Sequence, residues 1–316
     1  MTRILTYNIL YGGTGRVNEL TKMIGSARPD IVGLVEASDP QVVEELAHSL
    51  DKSGTYSMQH YMTAPGKHKC DHQLAVLSRL PVIRVEAHVR PGILTRPLLE
   101  VCVEEAGGEQ LTVFVTHLTA AFNQLRAGDF FRRREVQEIM NIMAPKRGTS
   151  HLLIGDFNAL APGDNLQASA LLRYLLDIDR RYPHTSSTLT GLPNLESVIP
   201  WYLRVFNPLL RAIPRNKLLC ALFDATVSLY APRESIGLLR NAGYVDCFRR
   251  MNPRARGFTC PTESPAGRID FIFASPHLAR RLAMCCVVTE GEGVPGDQAS
   301  DHFPLCAEFC ERNSPR

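Results

Sequence analysis

Tryptophan is almost absent from this chain, and neither sign of charge dominates it. Trp201 is the only tryptophan among 316 residues, and 35 Lys and Arg against 32 Asp and Glu leave a formal net charge of +3. A protein that coats nucleic acid usually carries a much stronger basic excess, so this balance neither demands nor excludes a nucleic-acid substrate. No apolar run reaches the roughly 18 residues of a membrane span. The start, Met1-Thr2-Arg3-Ile4-Leu5, lacks the charged-then-apolar pattern of a secretory signal. The nine cysteines contain no CxxC pair, and Cys285 and Cys286 are adjacent. An odd, scattered set argues for reduced thiols rather than a disulfide framework or a zinc site. A soluble, cytoplasmic protein is the resulting expectation. Compositional bias is missing too: 45% hydrophobic and 21% charged residues are close to the globular average and exclude a disordered, collagenous or coiled-coil chain. The length suffices to bury a large core without disulfides.

What is present is a mixed order of strands and helices. A strand from Arg3 to Asn8 is broken by Gly12-Gly13. Val17 to Ala27 reads as an amphipathic helix with Val17, Leu20 and Ile24 on one face, ended by Arg28-Pro29-Asp30. Asp30-Ile31-Val32-Gly33-Leu34-Val35-Glu36 reads as a buried-strand run that finishes on a carboxylate, and Ser38-Asp39-Pro40 opens a second helix, to about Leu50, with proline in its first turn. Strand-like runs follow at Thr55–Met62, Gln73–Ser78, Val82–Val89, Leu98–Val103 and Gln110–His117. A helix from about Phe130 to Met143 precedes the strand His151–Gly155. The chain from Gly163 is helical and looser. Ser235–Ala242 forms a short helix closed by Gly243. Final strands are expected at Arg268–Phe273, Met284–Thr289 and Phe303–Phe309. This order predicts two mixed sheets packed face to face with helices outside.

Polar residues cluster at the strand ends: Asn8, Glu36, His117, Asp156, Asn158, Asp270, Asp301 and His302. Each has a bland alternative. A lone Asn or Asp after a strand is usually a turn former, a lone Glu a solvated one, a lone His a hydrogen-bonded structural one. Asp270, between Ile269 and Phe271, is less easily dismissed, because a buried charge must be paired. The joint pattern outweighs the single readings, since apolar strand interiors can hold convergent end groups still.

The segments Thr6-Tyr7-Asn8, Leu34-Val35-Glu36, Ala75-Val76-Leu77-Ser78-Arg79-Leu80-Pro81, Thr116-His117-Leu118, Gly155-Asp156-Phe157-Asn158-Ala159, Arg268-Ile269-Asp270-Phe271-Ile272 and Ser300-Asp301-His302-Phe303-Pro304 resemble, in order, the motifs of the endonuclease/exonuclease/phosphatase superfamily, the fold of deoxyribonuclease I. The resemblance runs from residue 6 to residue 304. It implies a four-layered α/β sandwich, one catalytic domain over 1–316, with a helical insertion at about 165–235.

It also implies roles. Phosphate-ester cleavage needs charge neutralisation, an in-line water and a protonated leaving group. Glu36 would be the principal ligand of Mg²⁺, with Mn²⁺ a possible substitute, Asn8 would bind or orient the metal-phosphate unit, and Asp301 would assist. Asp156 would orient or deprotonate the water. Asn158 would donate to the phosphate. His302 would pair with Asp270, and His117 would be a second phosphate-facing imidazole. His117, and the absence of a Thr-Lys pair after Glu36, resemble the deoxyribonuclease-, sphingomyelinase- and deadenylase-like members more than the apurinic endonucleases. Asp71 is a candidate partner for His117, or a solvated turn residue.

The insertion departs from a minimal member. Val198 to Leu219 holds Arg204, Arg211, Arg215 and Lys217 and no acid, and Pro200, Pro208 and Pro214 preclude one long helix. It reads as a helical piece packed on the rim, or as a lid or docking surface in which Arg204 and Arg211 meet a nucleic-acid backbone or a membrane phospholipid. Arg132-Arg133-Arg134 reads as a solvated helix face, with phosphate contact the alternative. The expected protein is a monomeric, Mg²⁺-dependent nuclease. A phospholipid- or sphingomyelin-type phosphodiesterase or a small-molecule phosphatase is the alternative, and a dead scaffold a third, disfavoured because Glu36, Asp156, Asp270 and His302 are all retained.

Overall fold

The computed structural model describes residues 1–51, 59–62, 73–120, 126–182, 195 and 205–311. Its strands are β1 (Thr2–Asn8), β2 (Ile31–Val35), β3 (Gln59–Met62), β4 (Leu74–Ser78), β5 (Val82–His88), β6 (Leu98–Glu104), β7 (Gln110–His117), β8 (His151–Asp156), β9 (Val245–Asp246), β10 (Asp270–Ala274), β11 (Leu282–Val287), β12 (Glu290–Gly291), β13 (Val294–Pro295) and β14 (Leu305–Phe309). They form two six-stranded mixed sheets, ordered β11-β14-β1-β2-β4-β3 and β5-β6-β7-β8-β10-β9, and a small β12-β13 ribbon. In each large sheet one central pair is parallel, β1 with β2 and β7 with β8, and its neighbours run antiparallel.

The helices are α1 (Val17–Ala27), α2 (Pro40–Leu50), α3 (Arg126–Met143), α4 (Ala168–Arg181), α5 (Asn207–Ala212), α6 (Lys217–Tyr230), α7 (Glu234–Asn241), α8 (Cys247–Met251) and α9 (Gly296–Ala299). Alternation along the strands sorts side chains into layers. Ile4, Ile31 and Val76 of one sheet meet Val101, Val113 and Ile154 of the other in a dry inter-sheet core. Leu5, Tyr7 and Leu34, on the opposite face, pack under α1 and α2 through Leu20, Ile24 and Leu46. Phe114, Leu153 and Phe273 pack under α3 and α7 through Ile139, Val136 and Leu239. The result is the four-layered α/β sandwich anticipated from the sequence.

The first two helices begin and end where the sequence predicts. Asp39 caps α2 by accepting from the Gln41 amide, with Pro40 in the first turn, and Gly243 follows α7 at φ +91°, the left-handed residue that ends a helix. Other bounds shift: the final strands begin at Asp270, Leu282 and Leu305 rather than at Arg268, Met284 and Phe303. Residues 55–58 of the expected strand ending at Met62 lie outside the described residues. The two-residue strands, α8 and α9 were not anticipated, since elements this short show no period. The insertion is helical where described, and α4, α5, the following turn and α6 share their own apolar cluster of Leu172, Leu175, Ile178, Leu210, Ile213 and Phe223.

One glycine fixes the strand packing beside the site. Gly155 has φ +138°, and a Cβ there would lie 1.9 Å from the Thr116 carbonyl oxygen, so only a residue without a side chain lets β8 lie against β7.

Candidate active site

The parallel pairs bring the C-terminal ends of β1, β2, β7 and β8 to one end of the sandwich, and their antiparallel neighbours β10 and β14 deliver to that end the residues at or before their starts. Asn8 closes β1, Glu36 follows β2, His117 closes β7 and Asp156 closes β8. Asp270 opens β10, and Asp301-His302 precede β14. Within the sheet the register is direct: His117 and Asp270 flank Asp156 as its two strand partners.

Asp156 Oδ2 is the hub. It accepts from Asn8 Nδ2 at 3.1 Å and lies 3.6 Å from His117 Nε2 and 3.9 Å from His302 Nε2. Asp156 Oδ1 accepts from the Asn158 amide at 2.8 Å. Burial, together with the charge of Asp270, raises the Asp156 carboxyl to about 7, against the opposing pull of His302. Asp270 Oδ2 stands 2.8 Å from His302 Nδ1. Burial opposes charge on His302, but Asp270 and Asp301 outweigh it and push the imidazole well above its ordinary value. The Nδ1 hydrogen bond turns the ring so that Nε2 faces Asp156, and the upward shift favours its imidazolium form.

Asn8 spends its amide on the two acids: besides Asp156, it donates to Glu36 Oε1 at 3.2 Å, while its Oδ1 accepts from the Leu10 amide. Glu36 Oε2 accepts from the Tyr11 amide at 2.8 Å. Asn158 donates through Nδ2 to the Leu118 carbonyl, which commits one amide hydrogen and leaves the second. Glu36 and Asn158 both sit in the left-handed region, at φ +59° and +47°. Non-glycine residues hold that conformation only where their surroundings over-determine it, and such positions concentrate at functional sites.

The donor set fits a hard divalent cation. Glu36 and Asp301 offer carboxylate oxygens, and Asp301 is raised above the usual range by burial and, among nearby charges, by Glu36. A cation held through oxygen would relieve that repulsion.

The structure does not bring every expected residue to this cluster. Arg211 stands exposed on α5, and Arg204 and Asp71 lie outside the described residues. The solvated reading of Arg132-Arg133-Arg134 is corrected: Arg133 and Arg134 are exposed, but Arg132 is buried and donates to the Thr119 carbonyl, because three consecutive helical residues span most of a turn. Several neighbours of the site escaped the sequence reading. Arg96 donates to the Leu118 carbonyl at 3.1 Å and supports the strand end bearing His117. Ser300 Oγ donates to the Asn8 carbonyl at 2.7 Å and accepts from the His302 amide, tying the Asp301-His302 turn to β1. Cys260 clusters with Asp301 and His302, and burial pushes its thiol up to about 12. Tyr174 of α4 is buried within electrostatic reach of Asp301, which seats the insertion beside the site. Ser300 stood inside a quoted motif; the others carried no local signal.

The Endonuclease/Exonuclease/phosphatase family matches residues 5–302 of this sequence, so the chain belongs to that family of metal-dependent phosphoesterases. Among solved structures it is similar to an AP endonuclease from Archaeoglobus fulgidus (TM-score 0.63, 15% identity, 98% of this chain and 99% of that one). It is also similar to the 3′ phosphatase NExo from Neisseria bound to product DNA hairpin (0.61, 17%, 98% and 99%), and to truncated Caenorhabditis elegans TDP2 (0.56, 15%, 98% and 97%). No curated protein matches the chain.

Proposed function

We propose that this phosphoesterase uses Mg²⁺ to hydrolyse phosphodiester bonds of nucleic acid. The single observation that carries the chemistry is the Asp156 hub: one buried carboxylate oxygen with two imidazoles within 4 Å and a second carboxylate as its strand partner. A carboxyl raised to about 7 is matched to taking a proton from water near neutrality. Asp156 would accept that proton as the water oxygen attacks phosphorus and the bond from phosphorus to the departing ester oxygen breaks, that oxygen leaving as an alcohol with a proton from solvent. His302, kept cationic and oriented by Asp270, would face the charge developing on the phosphoryl oxygens. His117 would be the second imidazole on the phosphate, and the free hydrogen of the Asn158 amide would donate to it. Glu36 would hold the cation with Asp301 beside it, and Asn8 would keep Glu36 and Asp156 in place. When bound, the cation neutralises phosphate charge.

Nucleic acid is favoured as substrate by the proteins of like fold, one an AP endonuclease and one a 3′ phosphatase bound to a product DNA hairpin. A phosphodiester presented by a lipid is the second reading, favoured by the exposed apolar side chains of α6. The test is a panel of plasmid, single-stranded DNA, RNA, sphingomyelin and inositol phosphates, with Mg²⁺ and with chelator. Cleavage of the nucleic acids alone is expected. Cleavage of sphingomyelin alone would replace the first reading with the second. Glu36→Gln keeps the shape and removes the charge, and is expected to lower turnover at low Mg²⁺ by roughly a hundredfold or more, with partial rescue at high Mg²⁺ or Mn²⁺. Unchanged turnover at low metal would remove Glu36 from the site.

A further inference from the structure

The insertion carries an apolar face that nothing among the described residues covers. Helix α6 is apolar on two sides. Its inner side, Leu219, Cys220 and Phe223, packs on α4. Its outer side shows Leu218, Leu222 and Leu229 at 68%, 57% and 76% exposure. With Ala221 and Ala225 between them, these positions follow helical spacing and form one stripe. Phe206 and Leu209, at the start of the same segment, are also more than half exposed. An aliphatic stripe of this kind in water marks a surface meant to be buried.

The charges identify what buries it. Arg211, Arg215 and Lys217 are all exposed at the end of α5 and the start of α6. The one acid of α6, Asp224, is turned the other way: its carboxylate accepts from the amide and hydroxyl of Ser169 on α4. The face is thus aliphatic, with cations at its N-terminal end and no acid of its own to balance them. A second copy of the chain would bring no carboxylate from this face to meet them. A nucleic-acid backbone would satisfy the cations but has no use for bare leucines. A bilayer satisfies both, since acyl chains take up an apolar helix face and anionic headgroups pair with the basic residues beside it.

We infer that α5 and α6 dock the protein on an anionic lipid surface, with Leu218, Leu222 and Leu229 entering the headgroup–acyl boundary and Arg211, Arg215 and Lys217 meeting lipid phosphates and carboxylates. The inference is independent of the bond cleaved, because none of these residues belongs to the Asp156 cluster.

The experiment is flotation of the full chain with vesicles of phosphatidylcholine alone and of phosphatidylcholine mixed with phosphatidylserine. The wild-type chain is expected to float with the mixed vesicles and much more weakly with the neutral ones. Arg211→Gln/Arg215→Gln/Lys217→Gln should lose the phosphatidylserine preference, roughly fivefold in partition per residue, together with its salt dependence. Leu218→Ser/Leu222→Ser/Leu229→Ser should lose at least about tenfold on both vesicle types. The substituted side chains are solvent-exposed, so folding is expected to persist, and hydrolysis of a soluble aryl phosphodiester by both variants checks it. Glu36→Gln should float like wild type, which separates docking from catalysis. Three results would overturn the inference: a wild-type chain that stays with neither vesicle, a dimer in sedimentation that the leucine variant alone dissociates, or duplex-DNA binding lost in the charge variant while all chains ignore lipid. A leucine variant that unfolds defers to the charge variant, whose unchanged partition on mixed vesicles would equally overturn it.

Discussion

Asp270 and His302 reach each other at 2.8 Å from different sheets, so the imidazole's orientation depends on the sandwich being closed. Asp270→Asn keeps the volume but removes the charge that holds Nδ1–H. Turnover is expected to fall by roughly 10²–10⁴, as in other His–carboxylate pairs. If the two act as a unit, adding His302→Ala should cost little more than the worse single change, and fully additive losses in kcat would show independent action. The eight clustered residues were legible because each borders an apolar strand run, five at or after its end and Asp270, Asp301 and His302 at or before its start, where a polar group is anomalous. Arg96, Cys260 and Tyr174 were not, since only tertiary contact gives them meaning. Arg132 was misread because a run of like charges says nothing about which member a helix turns inward.

The strands β7 and β8 set the site's frame, and two tests belong to them. Gly155→Ala would drive a methyl into the Thr116 carbonyl. A loss of roughly 3 kcal/mol or more is expected, or failure to fold, read from the urea midpoint. At the far end of β8, His151 stands with Nδ1 3.1 Å from the Thr149 carbonyl and Nε2 3.0 Å from the Tyr244 hydroxyl. These contacts suit a neutral ring that donates through Nδ1 and accepts at Nε2. Burial lowers its pKa. The native state then binds fewer protons than the unfolded chain, so this contribution is present above about 6.5 and is lost as pH falls through the lowered native value. The stability that His151 adds, read as the difference in melting temperature between wild type and His151→Gln, should therefore shrink as pH falls below about 6.5. Long periodic elements such as α1, α2 and β7 were readable to within a residue or so. Strand starts beside Arg268 and Phe303 were not, because their apolar neighbours continue the pattern past the last ladder hydrogen bond.

Over the whole molecule, cohesion is uneven. The inter-sheet core draws fully buried residues from both sheets, whereas α6 has no fully buried residue and belongs to a separate small cluster. Amide hydrogens of α5 and α6 should exchange well before those of β1, β7 and β8, and equal protection measured by mass spectrometry would show one cooperative unit instead. The four layers were legible from the order of motifs along the chain. The outward stripe of α6 was not, because a helix apolar on two sides gives no pattern saying which side faces water.

The pairing of Asp156 with His117 on one side and Asp270 on the other has a practical reading for refolding. A slip of β8 by one residue would turn Asp156 to the opposite face while leaving strand content intact. Circular dichroism would count such molecules as recovered, whereas regained turnover would count only those in native alignment. The gap between the two yields is then a direct measure of misregistered protein.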